Sequence, residues 1–75
     1  MDYMDRIPVD SSNITSIGYD EETTILEIEF KSGSIYAYYD VPFSLYVQLM
    51  NAPSKGKFFN THIKMQYYDK TRKIK

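Results

Sequence analysis

ILEIEFKSGSIYAYYDVP, Ile25 to Pro42, decides the fold. In its first part Leu26, Ile28 and Phe30 alternate with Glu27 and Glu29, so one face is apolar and the other charged. Alternation with period two marks a half-buried strand with one wet face. KSGS follows, and Gly33 stands where a hairpin loop commonly needs a positive φ. IYAYYDV reads as the next strand, with Tyr36 and Tyr38 on one face and Ile35, Ala37 and Tyr39 on the other. Upstream, ITSIGYD puts Ile17 and Tyr19 on one face, and the polar cluster DEETT makes the turn into Ile25. Three strands joined by short turns form an antiparallel meander.

Downstream the period changes. Pro42 suits the first turn of a helix, where its missing N–H is harmless. Phe43, Tyr46, Val47 and Met50 recur at helical spacing, and Leu45 and Leu49 broaden the stripe. NAPSKG stops this helix, because Pro53 cannot continue it and Gly56 suits a turn at positive φ. KFFNTHIKMQYY predicts a short extended segment or edge strand, and DKTRKIK a charged tail with no core face. The expected class is α+β: a three-stranded antiparallel meander, one helix packed on it, and a C-terminal extended segment or edge strand. Residues 1–8 read as a flexible N-terminus, 9–68 as a single domain and 69–75 as a basic tail.

With 75 residues the chain makes one small domain with a thin stability margin. Such scaffolds lean on disulfides, metal, oligomerisation or a dense core. No cysteine is present and there is one histidine, which excludes disulfides, thiolate metal sites and a His-rich zinc site. Eight tyrosines and four phenylalanines fit aromatic packing or self-association. The lack of cysteine agrees with a reducing compartment. No apolar run spans a bilayer, and MDYMDR is unlike a secretory leader, so a soluble cytoplasmic protein is expected. Charge is segregated: Met1 to Pro53 holds nine acids and two bases, Ser54 to Lys75 seven bases and one acid. Such a split suits a basic partner-facing segment, or a tail that docks on its own acidic body.

The order VDSSNITSIGYD, LEIEF, KSGSIYAYYDVP, LYVQLMNAPSKGKFFN and THIK resembles the KTSC domain, over roughly Val9 to Tyr68. The matching positions are Ser11, Gly18, Tyr19, Gly33, Tyr36, Tyr38, Val41, Pro42, Tyr46, Leu49, Ser54, Gly56, Phe58 or Phe59, Asn60 and Ile63. Phe58 stands where the family often has a smaller or polar residue, which points to Phe59 as buried and Phe58 as available. The resemblance implies a domain found at the C-terminal part of some lysyl-tRNA synthetases and as short free-standing proteins of bacteria, phages and prophages. It implies no settled activity. The link to a synthetase places the domain near nucleic acid by association only. The phage form suggests a small binding protein that sequesters a host-defence nucleotide, in the host cytoplasm.

Enzymatic chemistry finds little support. Ser11, His62 and Asp69 assemble a nucleophilic set on paper only, without a motif. Glu27 and Glu29 share a strand face, and a solvated face explains them better than a catalytic carboxylate pair. His62 alone is more often a surface histidine than a base. No catalytic residue, metal ligand or cofactor is therefore assigned.

SKGKFFN, Ser54 to Asn60, offers more. A phosphate site wants free backbone N–H groups, a glycine for close approach and cations nearby. Ser54, Lys55, Gly56 and Lys57 supply these, but at a helix C-terminus the dipole repels anions. The plainer reading is a helix-ending glycine with two solvated lysines. Cations and aromatics interleave further on, through Phe58, Phe59, Lys64, Tyr67, Tyr68 and Lys70. Stacking on an aromatic is worth about 1–3 kcal/mol per base, and Asn60 can read a base edge or a peptide.

The expectation is a non-catalytic protein that binds a phosphate-bearing nucleotide or RNA. Its ligand residues would be Tyr36, Ser54, Lys55, Gly56, Lys57, Phe58, Asn60 and Tyr67, in a pocket made between protomers of a homo-oligomer. The alternative is a protein–protein interaction module that docks a partner through its acidic sheet face or aromatic surface, with no nucleotide.

Overall fold

The computed structural model describes residues 4–75; Met1 to Tyr3, part of the expected flexible N-terminus, lie outside the described residues. The elements are β1 (Ile7–Pro8), β2 (Ile14–Asp20), β3 (Ile25–Phe30), β4 (Ile35–Tyr38), α1 (Phe43–Asn51), α2 (Lys55–His62), a 3-10 turn (Tyr68–Lys70) and β5 (Thr71–Lys73). All strands join one antiparallel sheet in the order β1-β2-β3-β4-β5. The α+β class and the meander stand, inside a larger sheet than the sequence suggested.

Register follows the alternation of apolar residues. Ile17 faces Ile28 and Tyr19 faces Leu26; on the other side of β3, Ile28 faces Tyr36 and Leu26 faces Tyr38. These side chains share one face, and both helices cover it. The core joins Ile14, Ile17, Leu26, Ile28 and Tyr38 of the sheet to Leu49 of α1, Phe59 of α2, and Val41 and Ile63. Gly33 has φ 96° with no atom within 4 Å of a built Cβ, so the tight turn alone demands glycine there.

The reverse face carries Glu27 and Glu29 but is less wet than expected, since Ile35 and Ala37 on that face are buried. The chain before β1 crosses it. A Cβ on Gly18 would lie 2.8 Å from the Asp5 carbonyl oxygen and 2.9 Å from Arg6 Cγ, so glycine lets the strap lie close to the sheet. Arg6 then reaches Glu27 at 2.8 Å, and the Ser16 hydroxyl donates to Glu29 at 2.7 Å.

The structure corrects the sequence reading in several places. Residues after Pro53 form a second helix, not extended chain. Ser54 caps it, accepting from the Lys57 N–H at 3.3 Å, and the run to His62 is helical. Gly56 is therefore helical rather than a turn residue, and it is not among the positive-φ positions. Its small size matters instead, because a Cβ there would collide with Asn13 Oδ1. The edge strand lies in the segment expected to be a basic tail: Thr71, Arg72 and Lys73 pair with Tyr38, Ala37 and Tyr36. Backbone pairing holds this strand, so it shows no apolar alternation. Ile7 and Pro8, placed in the flexible end, pair with Ile17 and Ser16.

On α1 the buried stripe is offset from the expected one. Leu49 is fully buried and Leu45, Tyr46 and Met50 pack beside it, whereas Phe43 and Val47 are exposed. Neighbouring stripes of a short helix share one period, so spacing alone does not choose between them. No helix among the described residues is long and apolar enough to cross a membrane.

Candidate functional site

The hairpin between β3 and β4, the adjacent strands β4 and β5, and α2 with the turn after it line a groove of about 650 Å³. Its floor is aromatic. Phe30 meets Tyr36 edge to face at 5.9 Å, Phe30 meets Phe59 at 5.5 Å, and Phe59 meets Tyr38 at 5.4 Å. Each ring points an edge at the next ring's face, the arrangement aromatic quadrupoles favour. Burial pushes the Tyr38 phenol up to about 12, so it stays protonated and neutral at physiological pH.

The rim is polar and cationic. Lys31 comes from the hairpin, Asn60 and Lys64 from α2 and the turn after it, and Tyr68 from the 3-10 turn. Hydroxyls of Ser12, Ser32, Ser34 and Thr71 complete it, and among the described residues no carboxylate lines the groove. A larger depression of about 870 Å³ lies on the reverse face. It is lined by Asp5, Asp20, Glu21, Glu22 and Glu27, so it disfavours an anion. Burial, then Glu21 and Asp20, raises the pKa of Tyr19 beside it.

The expected ligand residues do not converge. Tyr36 and Asn60 line the groove. Ser54, Lys57 and Phe58 line a separate shallow depression of about 430 Å³ with His62, whose ring lies 4.5 Å from that of Phe58. Lys55 Nζ donates to the Ala52 carbonyl at 3.2 Å. Gly56 is buried against Asn13, and Tyr67 is packed partly against the core. Lys31 was missed because it stands at the wet end of a hairpin, with no local mark beyond its charge.

The helix assignment also reverses one electrostatic conclusion. Ser54 to Lys57 sit at the N-terminus of α2, the positive end of its dipole, and its first turn holds no acid. Phe59 is buried and Phe58 only partly so, as the family pattern suggested.

Several groups weighed for catalysis have other partners. Ser11 Oγ donates to Asn13 Oδ1 at 3.1 Å, and the His62 ring lies tilted against that of Phe58. Glu27 is paired with Arg6 and Glu29 with Ser16. Among the described residues no three His, Cys, Asp or Glu side chains group to hold a metal ion.

Sheet order, helix placement and groove define a small α+β module with an aromatic-floored cleft. The KTSC domain family matches residues 10–67, and the chain belongs to that family. It is similar to an uncharacterized protein of Stutzerimonas stutzeri strain A1501, 45% identical over 65 residues that cover 87% of this chain and 92% of that one. It is also similar to a lysine–tRNA ligase of Nostoc punctiforme, 47% identical over 58 residues; these are 77% of this chain but 10% of the ligase. The crystal structure of a KTSC domain protein from Yersinia pestis superposes with a TM-score of 0.91 at 44% identity, covering 97% of this chain and all of that one.

Proposed function

We propose that the protein is a non-catalytic binding module whose groove receives a phosphate-bearing nucleotide, free or within single-stranded RNA. One observation carries this reading: an aromatic floor and two lysines, Lys31 and Lys64, share a cleft that no carboxylate lines among the described residues. A base has a π-face for Tyr36 and Tyr68 and an edge for Asn60. The lysines track phosphate, as in sequence-tolerant single-strand binders. The lysine–tRNA ligases that carry a similar segment act on an RNA, which agrees with this reading.

Fluorescence anisotropy at low salt tests it, with labelled oligouridylate, mononucleotides and cyclic dinucleotides as probes. Lys31→Ala with Lys64→Ala should weaken binding at least tenfold. With RNA, the slope of log affinity against log salt should flatten by about 0.7 for each phosphate that is no longer neutralised. Tyr36→Ala should weaken binding by about 1–3 kcal/mol. Weaker binding on Lys55→Ala with Lys57→Ala instead would move the phosphate to the α2 N-terminus. Binding of none of these probes by the wild type would sink the proposal.

A further inference from the structure

The outer edge of β5 is a second surface, independent of what the groove holds. The Tyr39 N–H donates to the Lys70 carbonyl at 2.8 Å, and the Ile74 N–H donates to the Ile35 carbonyl at 2.7 Å. Antiparallel pairs alternate between residues that exchange hydrogen bonds and residues that turn them outward. With Arg72 opposite Ala37, the inward groups of this strand belong to Lys70, Arg72 and Ile74. The N–H and C=O of Thr71 and Lys73 therefore point away from the sheet. β5 is the last strand in the order, so among the described residues no other strand of this sheet meets them.

Charge restricts what can pair there. Arg72 and Lys73 lie within the strand and Lys75 flanks it, and all three are exposed, while Lys70 on the other flank is paired with Asp40 at 3.4 Å. Lysines on an edge strand normally guard against edge-to-edge association. Two copies of this edge would set like charges opposite one another, which destabilises cross-strand pairs. The same cations would hold a strand of opposite sign. A peptide backbone offers donors and acceptors in alternation to Thr71 and Lys73. A phosphodiester backbone offers acceptors only and leaves their carbonyls unpaired.

We infer that the β5 edge docks an extended acidic peptide segment of a partner protein, which adds to the sheet as a further strand. Main-chain hydrogen bonds to Thr71 and Lys73 give the pairing, and the flanking cations select the sign of the side chains. Acids on either face of the incoming strand find a cation, because Lys73 lies on the Tyr36 face and Arg72 on the Ala37 face.

The test is an amide NMR titration of the full chain at low salt with an acetylated alternating Glu–Val octapeptide. The expected shifts centre on Thr71 and Lys73, and a Lys–Val peptide of the same length gives none. N-methylation of the Glu–Val amides that face the edge should weaken binding at least tenfold. Lys73→Pro should do the same with unchanged melting, since it removes an outward N–H at a position where sheets accept proline. Should Lys73→Pro fail to fold, the N-methylated peptide on wild-type protein decides alone. Equal affinity for methylated and unmethylated peptide, or no shifts at the edge, overturns the inference. So does an oligouridylate that shifts Lys73, which does not line the groove, when the acidic peptide does not.

Discussion

Replacing Phe59 by alanine removes the ring that ties α2 to the sheet. Phe59 is 3% exposed and meets Phe30 and Tyr38 edge to face at 5.5 and 5.4 Å. Phenylalanine-to-alanine changes in cores cost about 3–5 kcal/mol. Removing two aromatic pairs at once places this one near the top of that range. At about 0.05–0.15 kcal/mol per residue, a domain of 75 residues holds roughly 4–11 kcal/mol in total. Phe59→Ala therefore removes much or all of the stability, and Tm should fall by on the order of 20 °C or more. Phe58→Ala removes a partly buried ring in tilted contact with His62 and should cost about 1 kcal/mol. Urea unfolding followed by circular dichroism measures both, with unchanged slope m for the milder variant. Equal costs for the two, or less than about 1.5 kcal/mol for Phe59→Ala, would refute the placement of α2.

Gly33→Ala should destabilise by about 1 kcal/mol or more, since alanine resists a positive φ whatever the space around it; unchanged melting would remove the hairpin turn. Tyr38 titrates near 12 in the folded chain, above its ordinary value. The unfolded chain therefore loses this proton first, and stability should be whole below pH 10 and fall as pH rises from about 10 toward 12. Tyr38→Phe should flatten that part of the pH–melting curve, and a curve identical to wild type would contradict the burial of the phenol.

What the sequence made legible was whatever side-chain period records. Leu26, Ile28 and Phe30 alternate because one face of β3 is core, and Gly33 marks a turn that only its backbone freedom permits. α2 was missed because Pro53 and Gly56 act locally as breakers. Pro53 in fact ends the connection before the cap, and Gly56 is there for Asn13, a neighbour far away in sequence. Two signals were available: Ser54 ahead of Lys57 as a cap, and the four-residue spacing of Phe59 and Ile63. Strand β5 leaves no such trace, for Thr71–Lys73 is held by main-chain bonds that do not depend on side-chain type. The groove was half legible. Tyr36 and Asn60 stood among the expected ligand residues for their aromatic and amide chemistry, but their convergence with Lys31 depends on β5 and α2, the two elements misread.

The lateness of β5 has a kinetic consequence. β2, β3 and β4 are joined by short turns and close their contacts over short loops, whereas Thr71 bonds Ala37 across 34 residues. Local hairpins close before distant strands, since the longer loop costs more entropy before any contact repays it. The meander can therefore form while β5 is still undocked, and Tyr68 and Thr71, which wall the groove, arrive last. Opening of that same segment in the finished protein would dismantle the groove wall while the meander stays folded. The binding surface then has its own, lower stability, separate from that of the core, and hydrogen exchange at Arg72 and Ile74 would report it apart from Ile28.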